Sequence, residues 1–308
     1  VTTWDLHADA AKISDSSPAI KLFAEHVADT LQPIVTPPPS SKKLWGIAPS
    51  DDPFTVAVDT QMADYVALGV TCPRFGSSDT AAASARSHGF KKWVAFVSGD
   101  GSAAPSQVVA YAAKYPEAYV GWGNELNLKS QWTSKSVAAL QIAVYNAMKA
   151  AGFASRVVMS SVGNSKSAAE GLLPLDWCAK LAAAGCKPGT GFTYADYHMY
   201  AGDPQHYDDW MHVWTPDTSG RSCQSIFGHP PFFITEFGAR IGKDVDTAAE
   251  QESAAKAWVA KLGSMAECAG GMWFQDFEGT DPRWTGFGLH GNTGVRRPSW
   301  QAYKDAIA

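Results

Sequence analysis

Eight short apolar runs alternating with alanine-rich helical stretches predict an α/β fold, a (β/α)8 TIM barrel, for this chain of 308 residues. Three observations carry that prediction. Strands joined one after another by helices must lie parallel. The runs lack strict polar alternation, as strands buried on both faces do. The stretch from Leu44 to the C-terminus has about the 250 residues such barrels take. A doubly wound open sheet is the alternative, but no Gly-x-Gly-x-x-Gly turn follows any early run.

The strands are expected at residues 44–48, 70–75, 93–98, 119–124, 156–161, 194–199, 232–235 and 271–275. The clearest helices are 134–151, closed by Gly152, and 247–266, opened by Asp246-Thr247 with Glu250 and Glu252 in its first turn. Residues 1–43 differ from the rest. Ile20, Phe23, Val27 and Leu31 fall at helical spacing after Ser17-Pro18, and Pro37-Pro38-Pro39 stops any helix. This segment reads as a helical extension and proline-rich connector packed on a single barrel domain, residues 44–308.

Hydrophobic residues make up 45% of the chain and charged residues 18%, enough to fill a core. A net charge of −5 argues against nucleic acid or an anionic membrane as partner. No apolar run approaches the roughly 20 residues of a membrane span. Val1 is not an initiator methionine, and a removed export signal is expected before it. Of five cysteines, Cys178 can bridge to Cys186 and Cys223 to Cys268, while Cys72 lies in an apolar run as a buried thiol. The alternative is five reduced cysteines in a cytosolic protein; disulfides and a secreted or extracytoplasmic location are the expectation. His206, His212 and His229 show no ligand spacing, so no metal and no cofactor are expected.

Two glutamates close apolar runs. Glu125 follows Tyr119-Val-Gly-Trp-Gly-Asn124, and Glu236 follows Pro231-Phe-Phe-Ile-Thr235. A strand interior rejects an unpaired carboxylate, whereas a strand's carboxyl end can present one to a cleft. Two carboxylates facing one cleft are what glycosidic bond hydrolysis requires. The 12 tryptophans add flat apolar faces of the kind that stack on sugars. Trp45, Trp122, Trp132, Trp210, Trp214 and Trp284 fall at or just past expected strand ends, and residues 208–214 read as a substrate loop.

From Leu44 onward the chain resembles the (β/α)8 retaining glycoside hydrolases of clan A, whose acid/base and nucleophile are glutamates ending strands four and seven. The resemblance rests on Asn124-Glu125, Thr235-Glu236-Phe237-Gly238, Arg74 on strand two, His198-Met-Tyr200 on strand six, Trp273 on strand eight, and the closing Gly286-Phe-Gly-Leu-His and Arg297-Pro-Ser-Trp-Gln-Ala-Tyr303. It departs at Leu126, where the family usually has proline. The resemblance implies Glu236 as nucleophile, with Arg74 and Tyr200 as donors that favour its ionised form, and Glu125 as acid/base walled by Trp122 and Trp273. It implies that Asn124 donates to the sugar 2-hydroxyl. His198 is expected in the cleft or, alternatively, as a satisfied core histidine. Asp276 and Glu278 compete for the nucleophile's role. Trp45 and Trp284 complete the expected substrate contacts. The expected protein is a monomeric, endo-acting retaining hydrolase of a β-linked polysaccharide or oligosaccharide, with a non-catalytic sugar-binding barrel and a transglycosylase as alternatives.

Overall fold

The computed structural model describes residues 42–49, 57–278, 281–291 and 293–308. The expected N-terminal helix and proline connector lie outside the described residues. The strands are β1 (Leu44–Ala48), β2 (Arg74–Gly76), β3 (Trp93–Phe96), β4 (Ala118–Gly121), β5 (Val157–Val158), β6 (Ala195–Tyr200), β7 (Phe232–Gly238) and β8 (Cys268–Phe274). The helices between and after them are α1 (Val58–Leu68), α2 (Asp79–Ser87), α3 (Pro105–Lys114), α4 (Ser134–Ala150), α5 (Pro174–Ala183), α6 (Pro204–Met211), α7 (Cys223–Phe227), α8 (Ala248–Ser264) and α9 (Pro298–Ile307).

The strands form two parallel four-stranded sheets, in the orders β1-β8-β7-β6 and β2-β3-β4-β5. The sheets meet at both edges. Thr71 N and Cys72 N donate to Trp45 O at 2.8 and 3.0 Å. Met159 N donates to Tyr194 O at 2.8 Å, Val162 N to Asp196 O at 3.1 Å, and His198 N to Val162 O at 3.0 Å. Each strand's two faces are both buried, which explains the unbroken apolar runs. One face, with Ala48, Val94, Phe96, Val158, Phe233, Met272 and Phe274, forms a cluster of its own. The other, with Ile47, Trp93, Val120, Tyr197, Ile234 and Trp273, packs on helix residues such as Leu68, Val144, Leu181 and Trp258.

Helix ends follow local chemistry. Thr247 caps α8: Glu250 N donates to its hydroxyl at 3.2 Å, and Glu250 Oε2 accepts from Thr247 N at 3.0 Å. Gly152 closes α4 with φ 82°, where a side chain would be strained. Strand boundaries shift more. β4 ends at Gly121, before Trp122, and β7 runs on through Glu236 to Gly238.

All five cysteines are buried and free, which corrects the expected bridges. Cys178 on α5 lies against Cys223, which opens α7. Cys268 stands beside Phe232 in the β7–β8 register, and its thiol donates to Gly270 O at 3.5 Å. Burial pushes the Cys186 and Cys268 thiols up to about 12, so both stay neutral.

Gly46 sits where the sheets meet: a Cβ there would fall 2.1 Å from Cys72 O. At Gly76 a Cβ would meet nothing within 4 Å. Gly46→Ala is therefore expected to lower the unfolding free energy by about 3 kcal/mol or more, against under about 1 kcal/mol for Gly76→Ala. Denaturant unfolding of the two variants checks this.

Candidate active site

The site is built from side chains that alternate along β6 and from one irregularity in β7. Asp196, His198 and Tyr200 share a face of β6, since successive side chains point to opposite sides, while Tyr197 and Met199 face the helices. In β7, Phe233 pairs with Asp196 and Glu236 with His198, so three steps on β7 match two on β6. Against β8, Ile234 pairs with Gly271 and Phe237 with Trp273, again three steps against two. This bulge inserts one residue and re-aims the side chains beyond it. Phe233 belongs to the inner cluster and Phe237 to the helix-facing one. Strict alternation from Phe233 would send Glu236 outward; the bulge turns it in.

Glu236 is 5% exposed, a burial that requires partners. Arg74 Nη1 lies 2.6 Å from Glu236 Oε1, and the Tyr200 hydroxyl donates to Oε2. The same guanidinium reaches the β4 loop, with Nη2 donating to Asn124 Oδ1 at 2.6 Å, and stacks 4.8 Å over Phe96. Ser161 also donates to Asn124 Oδ1, at 3.2 Å. With its carbonyl oxygen so engaged, Asn124 keeps its NH2 as a donor.

Glu125 stands four residues past the end of β4. Its backbone is left-handed, φ 48° and ψ 45°, a conformation that costs of order 1–3 kcal/mol for a residue with a side chain. The following turn Leu126–Leu128 and the segment after β5 hold it there. Asn127 donates to Gly163 O at 3.0 Å and accepts from Gly163 N at 2.9 Å. A Cβ on Gly163 would fall 2.7 Å from Glu125 Oε1, so the glycine is the space in which that carboxylate sits.

His198, fully buried, joins the two glutamates. Its Nδ1 lies 3.0 Å from Glu125 Oε1 and 3.3 Å from Glu236 Oε2, without hydrogen-bond alignment to either. One ligating atom from each of the three residues falls within 4.8 Å of the others. On the far edge of the ring, Nε2 lies 3.0 Å from Thr235 Oγ1, which donates to Asp196 Oδ2 at 2.7 Å. Burial opposes protonation of His198, but Glu236 and Glu125 outweigh it and raise its pKa. Burial pushes the Asp196 carboxyl up to about 6, against the pull of His198 and Thr235. Burial and then Glu236 raise the Tyr200 hydroxyl, which stays a donor.

Of the expected residues, Arg74, Asn124, Glu125, His198, Tyr200 and Glu236 come together. Trp45, Trp122 and Trp273 do not: all are buried on the helix-facing side. Trp122 Nε1 donates to Ala103 O at 2.8 Å, and Trp273 Nε1 to Phe287 O at 3.2 Å. Alternation along β8 gives the inward position to Phe274, whose ring lies 5.6 Å from Tyr200 and 5.7 Å from Trp284. Asp276 and Glu278 are engaged by other groups. Asp276 Oδ1 lies 2.9 Å from His290 Nδ1, and Glu278 pairs with Arg297 and accepts from Gly286 N at 2.8 Å. Asp196, Asn127, Ser161 and Gly163 gave no motif signal in the sequence, and Thr235 entered only as a member of the Thr235–Gly238 motif. Among the described residues, two groups could ligate a metal by donor type: Glu125–His198–Glu236 and Asp64–Asp276–His290. In the first, Arg74 and Tyr200 already occupy both Glu236 oxygens.

The chain resembles solved glycoside hydrolases in structure. A GH128 (subgroup II) endo-β-1,3-glucanase from Sorangium cellulosum matches with a TM-score of 0.62 at 22% identity, over 85% of this chain and 98% of that one. Its counterpart from Pseudomonas viridiflava matches at 0.63 and 19%, over 86% and 98%. A Bacteroides uniformis β-glucuronidase matches at 0.61 and 14%, over 86% of this chain but 35% of that one. The chain shares the fold of these glycoside hydrolases. No family model and no curated protein matches its sequence.

The raised pKa of His198 makes its stabilisation pH-dependent. That contribution is complete below the ordinary value of about 6.5 and is lost as pH rises through the higher folded value. The unfolding free energy is expected to fall across that window with a slope of up to about 1.4 kcal/mol per pH unit, lowering the melting temperature, and His198→Gln is expected to flatten the dependence. Thermal unfolding of both proteins between pH 6 and 9 checks this.

Proposed function

We propose that the chain is a retaining endo-glycoside hydrolase of a β-linked glucan, and that its two sheets are the halves of one (β/α)8 barrel of the clan A kind. The observation that carries the reading is the pair of carboxylates, Glu125 and Glu236, with oxygens within 4.8 Å. A retaining pair stands about 5–5.5 Å apart, whereas an inverting pair needs about 6.5–9.5 Å to admit water. The hydrogen bonds at both sheet edges support the barrel. The shared fold with endo-β-1,3-glucanases supports a β-1,3-glucan as the substrate.

The two glutamates divide the work by surroundings. Glu236, paired with Arg74 and Tyr200, attacks the anomeric carbon to form a glycosyl ester. Glu125, with 22% of its side chain exposed against 7% for Glu236, gives its proton to the departing glycosidic oxygen. It then takes a proton from water, which attacks the ester and releases the sugar with its configuration retained. The His198 ring lies between the pair, with Nδ1 3.0 Å from Glu125 Oε1 and 3.3 Å from Glu236 Oε2, and Asn124 donates to the sugar 2-hydroxyl.

Wild-type protein is expected to release reducing sugar from laminarin. Glu236→Ala is expected to lose at least about 10⁴-fold in kcat while keeping its fold. Azide restores turnover in that variant and yields the glycosyl azide of inverted configuration. Tight binding with no cleavage by the wild type would instead make the chain a sugar-binding barrel.

A further inference from the structure

Next to Gly163, which borders Glu125, the chain runs into a groove of about 710 Å³ lined by Asn164, Ser165, Lys166, His206, Asp209 and Trp210. Given the proposed function, on which this rests, we propose that the groove is the acceptor-side subsite. It would take the neutral sugar on the leaving side of the scissile bond, with Trp210 as its stacking platform.

Adjacency to the acid/base residue along the chain argues for that side. Gly163 backs directly on Glu125 Oε1, and the next three residues lead away from that carboxylate into the groove. Asn127, two positions past Glu125, clamps this segment through Gly163 and through Ser165 O at 3.4 Å. The group that protonates the glycosidic oxygen must border the sugar that departs with it. Glu236, by contrast, is backed by Arg74 of β2 and by Tyr200.

Trp210 is the unusual member. It is 47% exposed, more than any other large aromatic among the described residues. Its Nε1 donates to Asn164 O at 3.1 Å, so one edge of the indole is fixed to the segment that leads from Glu125. The helix that bears it is pinned at its C-terminal end. Buried Asp208 accepts from Trp214 N at 3.0 Å and from Thr215 N at 2.7 Å. A fixed apolar plate stacks on a sugar face without paying for its own ordering. The exposed Lys166 amine, Asp209 carboxylate, His206 ring and Ser165 hydroxyl offer both donors and acceptors, which matches sugar hydroxyls. The volume lies within the range of small-molecule sites.

The test compares two substrates. Laminaripentaose places sugars on both sides of the cleavage point. β-Laminaribiosyl fluoride carries no leaving sugar. In Trp210→Ala the ratio of kcat/KM for pentaose to that for the fluoride is expected to fall at least tenfold, chiefly through KM. Glycosyl transfer onto added laminaribiose falls with it, and Trp210→Phe, which keeps an aromatic plate, recovers most of both. A ratio unchanged in Trp210→Ala, whether because neither rate moves or because both fall alike, overturns the subsite alone. Wild-type protein inactive on both substrates overturns the parent reading and the subsite together.

Discussion

Glu236 is a carboxylate held inside the protein, and the ion pair it makes with Arg74 is the contact on which the cleft depends. At 2.6 Å the guanidinium offsets a burial that would otherwise cost several kcal/mol or force a proton onto the group. The same guanidinium binds Asn124 and lies over Phe96, so one side chain from β2 ties together β3, the β4 loop and β7. Those elements belong to different sheets. Arg74 is thus an electrostatic partner of one glutamate and a mechanical link to the loop that carries the other.

Two departures from regular backbone bring the carboxylates to face each other. The β7 bulge turns Glu236 to the inner side beside Thr235, which lies within hydrogen-bond distance of His198. The left-handed backbone at Glu125 turns its carboxylate back over the strand ends toward His198. Each departure costs local stability, and surrounding contacts compensate: the Asp196–Thr235 bonds under the bulge, and the Asn127–Gly163 pair beside Glu125. Irregular backbone is concentrated where these side chains converge.

Much of this was legible in the sequence, for reasons that can be stated. The eight apolar runs appear as eight strands because burial on both faces leaves no polar position to obscure them. The Thr247 cap and Gly152 stop were readable because capping is local chemistry. The glutamates stood out because carboxylates are rare beside such runs. What failed to show was direction. Trp273 and Phe274 are adjacent, and only the register of β8 decides that the phenylalanine faces inward and the tryptophan meets the helices. The same parity sends Trp45 and Trp122 into the outer core. Cysteine pairing failed because α5 packs on α7, a tertiary fact with no trace in spacing. Asp196 and Asn127 stayed hidden because each acts through backbone groups of distant segments.

The claim that Glu236 forms the bond to the sugar is tested most directly by trapping that bond. A 2-deoxy-2-fluoro-β-laminaribiosyl substrate with an activated leaving group forms a slowly hydrolysed ester on a retaining enzyme's nucleophile. Peptide mapping by mass spectrometry should place one equivalent of the fluorosugar on Glu236, with activity lost in proportion. A label on Asp276 or Glu125 would contradict the account, as would full turnover with no label and a product first seen as the α-anomer.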